Sequence, residues 1–246
     1  MSYSSISFDD ESEMDSIGNI SLSPISKISK RSPKAIVRII HDDESLFDRK
    51  PKRSEKSNEI RILKVQREKV LHLNGIRFFF RAALPNSEFI SAKCKNSDSK
   101  YIYIRRGYEI HLSDTEFDMI IQSDQNNTQF TVFHRNINTL PVFVAYFDMP
   151  REEFDGYRKV RLQFLSYPSI TQQLVSLPIM VSPGFGGMFR IPSVKNAVFA
   201  YENEEEPVLI VRKTEKNSLV VESKLVLDQI ELFALAIIMF MGRKPV

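Results

Sequence analysis

The chain has 246 residues, with 34 Lys and Arg against 31 Asp and Glu, so its net charge of +3 points to no class of partner by itself. That length holds one large domain or two small ones. Cys94 is the only cysteine, which excludes an intrachain disulfide and fits a reducing compartment. No hydrophobic run opens the sequence, so neither a secretory signal nor a membrane anchor is expected there, and with Ser2 after Met1 no glycine myristoylation is expected either.

Residues 1–58 read as a disordered tail. Ser, Asp and Glu dominate the first twenty positions, and the charge then reverses at Lys27, Lys30, Arg31, Lys34 and Arg38 and again at Arg49, Lys50, Lys52 and Arg53. Such a segment buries too little apolar surface to offset the entropy of ordering it. Ala35–Ile40 is the exception and reads as a short strand or a motif that orders on a protein partner. The cluster Arg49, Lys50, Lys52 and Arg53 has the pattern of a nuclear import signal or of a patch for acidic membrane, beside the plainer reading of a solvated linker.

From Glu59 onward short runs of β-branched and aromatic residues alternate with turn formers such as Asn74-Gly75, Pro85-Asn86, Asn126-Asn127 and Pro183-Gly184. Strands are expected at about 60–67, 76–83, 88–94, 100–105, 108–112, 117–122, 129–134, 141–148, 157–165, 178–181, 187–190, 195–201, 207–212 and 218–222. Many short strands with tight turns argue for a closed barrel or a sandwich.

The last element is different. Between Leu225 and Met241 only Asp228, Gln229 and Glu231 are polar, and Leu232 to Met241 is apolar throughout. A helix apolar on every side must be buried on every side. The apolar run spans roughly 15 Å of helix, short of the roughly 20 residues a bilayer crossing needs. It is expected to form the axis of a globular core, with Gly242 as C-cap and Arg243 and Lys244 at the negative end of the helix dipole. A closed antiparallel β-barrel threaded by this helix hides it and removes the sheet edges together.

Several stretches of residues 59–246, in order, resemble the tubby C-terminal domain. EIRILKVQR at 59–67 resembles that family's opening strand, and FISAKCKNSDSKYIYI at 89–104 resembles its basic hairpin before a Ser-x-Tyr strand. QFTVFH at 129–134, EFDGYRKVRL at 153–162 and SVKNAVF at 193–199 are similar to its later motifs, and PVLIVRKTEKNSLVVE at 207–222 and ELFALAIIMF at 231–240 to its final strands and helix. The chain is shorter than typical members after His134 and after Leu165. The resemblance implies a barrel of twelve strands around a hydrophobic helix, and a membrane adaptor that binds phosphatidylinositol 4,5-bisphosphate or a related phosphoinositide. It further implies a cytoplasmic protein peripheral at the plasma membrane, with a ciliary cargo role or a nuclear, transcription-linked role as further expectations. A barrel that has lost the lipid and serves as a protein-interaction scaffold is the alternative.

A bisphosphorylated headgroup needs several Lys or Arg side chains converging on one surface. Strand alternation puts Arg77, Phe79 and Arg81 on one face and Ser91, Lys93 and Lys95 on one face, so a hairpin about Pro85-Asn86 would gather Arg77, Arg81, Lys93 and Lys95. The resemblance places Lys93 and Lys95 in the family's ligand hairpin. It also places Gln122 where the family carries a ligand arginine, with Asp124 nearby, a departure that implies weaker binding or a less phosphorylated lipid. Arg158, Lys159 and Arg161 form the next basic cluster, read as structural or as an accessory surface. The four histidines are scattered, no metal-ligand spacing is present, and Gly184, Gly186 and Gly187 lack the Lys-Ser/Thr of a phosphate loop. No catalytic constellation, metal or cofactor is expected. Contact with nucleic acid through basic surfaces is conceivable, but no recognition helix or stacking platform supports it.

Overall fold

The computed structural model describes residues 60–73, 75–95, 99–108, 116–135, 140–148, 158–167, 169–170, 172–178, 191 and 193–242. The expected tail over 1–58, the Arg49, Lys50, Lys52 and Arg53 cluster, Arg243, Lys244 and the glycines at 184–187 lie outside the described residues.

Twelve strands follow one another as β1 (Arg61–His72), β2 (Gly75–Ala83), β3 (Phe89–Cys94), β4 (Tyr101–Arg106), β5 (Met119–Ser123), β6 (Gln129–His134), β7 (Phe143–Phe147), β8 (Val160–Phe164), β9 (Leu174–Leu177), β10 (Ala197–Tyr201), β11 (Leu209–Glu215) and β12 (Ser218–Ser223), before the helix α1 (Gln229–Met241). Each pairs with its sequence neighbours antiparallel, and β1 closes onto β12 from Arg61↔Ser223 to Gln66↔Ser218. The period-two pattern is plainest in β8, where Val160, Leu162 and Phe164 are buried while Arg161 and Gln163 are exposed. Closure leaves no sheet edge along the paired rungs.

A barrel of about eight strands is filled by its own side chains, so twelve leave room inside for a helix about 10 Å across. The helix α1 takes that room. Every residue from Ile230 to Met241 is buried, and α1 touches walls on different sides. Phe240 meets Phe80 of β2 with ring centroids 5.8 Å apart, and Glu231 lies 3.4 Å from His134 Nε2 of β6. The helix begins at Asp228, whose backbone N–H donates to Glu231 Oε2 at 2.8 Å, one arm of a capping box.

Several expectations are corrected. Leu225 and Leu227 are buried but precede the helix, because Asp228 is extended at φ −68 and ψ 153. Gly242 is the C-cap as expected, its N–H donating to Ile238 O at 2.7 Å, but its φ of −51 is not the left-handed conformation usual for a C-cap glycine. Glycine is required there because a Cβ would sit 2.3 Å from the Phe147 ring. The strand expected at 178–181 is not formed at Pro178, and β9 lies upstream at Leu174–Leu177, where no strand was expected. Residues 179–181 and 187–190 lie outside the described residues, as do 109–112 of the expected 108–112 strand.

Candidate functional site

The β2–β3 hairpin forms as alternation requires. Its turn is held by Leu84 N–H donating to Glu88 O at 2.8 Å and Ser87 N–H donating to Leu84 O at 3.1 Å. The register pairs Phe78↔Cys94, Phe79↔Lys93 and Arg81↔Ser91. Phe80, Ala92 and Cys94 therefore point into the core, and Phe79, Arg81 and Lys93 point outward. Arg77 and Lys95 are the next residue on each strand beyond the Phe78↔Cys94 rung, and both belong to the outer face.

The outward cations differ in what they meet. Arg81 donates to Glu68 Oε2 at 3.1 Å, and its guanidinium carbon lies 4.6 Å from the Tyr108 ring centroid. Glu68 stands opposite Phe79 in the β1–β2 register, so the Arg81 charge is largely matched. Lys93 Nζ rests 4.6 Å from the Phe79 ring centroid, a cation–π contact that orients the amine without neutralising it. Arg77, Lys93 and Lys95 have no carboxylate partner among the described residues. The open depression of about 290 Å³ beside Arg81 is lined by Glu68 and Glu215 as well as cations, which suits an anion poorly. The outer face of Lys93, with Arg77 and Lys95 at the rim, is the better anion surface.

Gln122 sits on β5, paired with Tyr101 on one side and Thr131 on the other. Tyr103 pairs with Lys93, so Tyr101 and Gln122 lie one alternation further toward the rim that carries Lys95. The sequence reading missed Lys100 at this rim, whose Nζ lies 5.4 Å from the Tyr101 ring centroid. Its signal was the Lys-Tyr step that opens β4. Asp124 is taken up by its own turn: Thr128 donates its N–H at 2.7 Å and its hydroxyl at 2.5 Å. Burial pushes that carboxyl up, but the hydrogen bonds from Thr128 and neighbouring backbone outweigh burial and hold it below the usual range.

The second basic cluster divides. Arg158 is buried, and Nη1 donates to Met239 O at 2.9 Å, which makes it structural. Lys159 and Arg161 are exposed, and Arg161 pairs with Asp148 at 2.9 Å. Cys94 is buried, and burial pushes its thiol up to about 12, far from a thiolate at neutral pH. Among the described residues no cluster of three His, Cys, Asp or Glu could hold a metal, and no helix is long and apolar enough to cross a membrane.

No protein-family model matches the chain, and no curated protein matches it. The functional reading rests on the geometry above and on the stretches quoted from the sequence.

Proposed function

We propose that this chain is a peripheral membrane adaptor that holds a phosphoinositide headgroup, phosphatidylinositol 4,5-bisphosphate or a related lipid, on the outer face of the β2–β3 hairpin. The observation that carries the reading is that Lys93, Arg77 and Lys95 gather at one rim with no carboxylate partner among the described residues, while Arg81 beside them is matched by Glu68. Phosphate oxygens supply the missing counter-charge, and the cation–π contact with Phe79 holds Lys93 in place for them. The resemblance to the tubby C-terminal domain points to the same hairpin. Gln122 offers an amide where that family carries a cation, so affinity for the most highly phosphorylated lipids is reduced. Basic groups of the tail add nonspecific attraction to the same membrane, and two weak contacts on one chain act as a stronger one.

Co-sedimentation of the whole chain with vesicles tests this. Binding rises when a few per cent of a phosphoinositide is added, falls strongly in Lys93→Ala/Lys95→Ala, and changes little in Arg81→Ala. Equal binding to all anionic vesicles, indifferent to Lys93 and Lys95, would overturn the reading in favour of a protein-interaction scaffold.

A further inference from the structure

The β1–β2 hairpin runs past the rim of the barrel. Pairing of β1 with β12 stops at Gln66↔Ser218, followed by one more backbone bond from Arg67 N–H to Asn217 O at 2.8 Å. Pairing of β2 with β3 stops at Phe78↔Cys94. Beyond these rungs, among the described residues, β1 and β2 pair only with each other, out to His72↔Gly75. From Lys69, opposite Phe78, to His72 is about 10 Å of strand at about 3.3 Å per residue.

The inner face of β1 reads Leu63 and Val65, then Arg67 and Lys69 at the rim, and turns apolar again at Leu71 beyond it. Leu63 and Val65 are 3% and 0% exposed, whereas Leu71 on the same face is 80% exposed. Its cross-strand partner Ile76 is 37% exposed, and Leu73 at the tip is fully exposed. Three large apolar side chains thus cluster at the tip of a projecting ribbon, and residues 69–77 contain no Asp or Glu.

Among the described residues the ends of the barrel differ in charge. The end with the projecting hairpin also carries Arg77, Lys95 and Lys100. Its acids among the described residues are Glu68, Asp124, Asp148 and Glu215, of which Glu68 pairs with Arg81 at 3.1 Å, Asp148 with Arg161 at 2.9 Å and Glu215 with Lys64 at 2.6 Å. The opposite end carries Glu88, Glu116, Asp118 and the run Glu202, Glu204, Glu205 and Glu206. There Arg105 and Lys224 are taken by Glu116 and Glu206, and Arg61, Arg106 and Arg135 are outnumbered.

We infer that the β1–β2 tip is a membrane-inserting wedge: Leu71, Leu73 and Ile76 enter the headgroup–acyl boundary of an anionic bilayer, end-on, while Arg77, Lys95 and Lys100 sit at the headgroups. An apolar tip collared by cations has the chemistry of an anionic lipid surface, which takes both at once, and amphipathic elements of this kind sink about 5–10 Å. The acidic end faces away, as repulsion from anionic lipid requires. This inference rests on the lipid reading above and adds to it the depth and direction of docking.

A fluorophore sensitive to polarity, attached in the full chain at Leu73→Cys, reads the insertion. Cys94, 1% exposed, stays unlabelled in the folded protein. A matched label at Glu205→Cys reads the other end. With vesicles of phosphatidylcholine, phosphatidylserine and a few per cent phosphoinositide, the label at position 73 shifts to the blue and is quenched by brominated acyl chains, while that at 205 does neither. The variant Leu71→Ser/Leu73→Ser/Ile76→Ser melts like the parent and binds those vesicles about tenfold or more weakly. An unchanged label at position 73 on vesicles that do sediment with the protein overturns the wedge and leaves headgroup binding standing. No sedimentation at all overturns both. A blue shift without vesicles that grows with protein concentration overturns the wedge in favour of a tip buried in a second copy.

Discussion

Arg158 Nη1 donates a 2.9 Å hydrogen bond to the carbonyl oxygen of Met239, tying the wall before β8 to the last turn of α1. Met239 O is one of the carbonyls a helix end leaves without an intrahelical donor, and a cation there suits the negative end of the dipole. The bond is costly to keep, since among the described residues Nε and Nη2 have no hydrogen-bond partner and burial lowers the guanidinium to about 10. Replacing Arg158 with Ala removes packing and leaves Met239 O unpaired, a loss of about 2–4 kcal/mol. Replacing it with Met also leaves Met239 O unpaired but keeps the volume and drops the buried charge, so the loss is clearly smaller than for Ala. Urea unfolding of the two variants reads the difference.

Tyr167 governs the alkaline limit. Its hydroxyl donates to the buried carboxylate of Glu231. Burial, and then the Glu231 hydrogen bond and charge, raise the phenol above its ordinary value of 10.0. The unfolded phenol ionises first as pH climbs, so the stabilisation is complete below about pH 10 and is lost progressively above it. Melting temperature measured from pH 8 to 11 falls more steeply in the parent than in Tyr167→Phe. Parallel slopes would show that other groups set the limit.

Gly242 and Phe147 are a matched pair. A Cβ at 242 would lie 2.3–2.8 Å from ring atoms of Phe147, and that ring is itself packed against Phe130 with centroids 5.7 Å apart. Gly242→Ala costs about 1–3 kcal/mol by overpacking. Phe147→Leu opens space, so the double mutant costs less than the two single changes added together.

Ala236, fully buried in the middle of α1, cannot take a charge. Ala236→Asp places an unpaired carboxylate inside the barrel and abolishes cooperative melting. A soluble variant with an unchanged melting curve would contradict a helix buried on all sides.

The helix was legible because no arrangement but full burial suits Leu232 to Met241. Its start was not, since Leu225 and Leu227 are buried as extended chain and only the backbone angle at Asp228 tells them from a helical turn. Strand β9 was hidden because four residues, Leu174–Leu177, sit behind Gln172 and Gln173 with one fully buried position among them. At the candidate site, alternation alone gave the shared face of Arg77, Arg81, Lys93 and Lys95. It could not give the Glu68 that matches Arg81, because that contact depends on the register between β1 and β2. The projecting hairpin was equally out of reach: its exposure follows from where β12 and β3 stop pairing, not from its own residues.

The most direct test of the account is a titration of the ¹⁵N-labelled chain with the soluble inositol trisphosphate headgroup, followed by amide chemical shifts. The account predicts saturable shifts that centre on Arg77–Phe79 and Lys93–Lys95, reach Tyr101 and Gln122, and vanish in Lys93→Ala/Lys95→Ala. Shifts centred elsewhere on the barrel, or none at headgroup concentrations in the millimolar range, would contradict it.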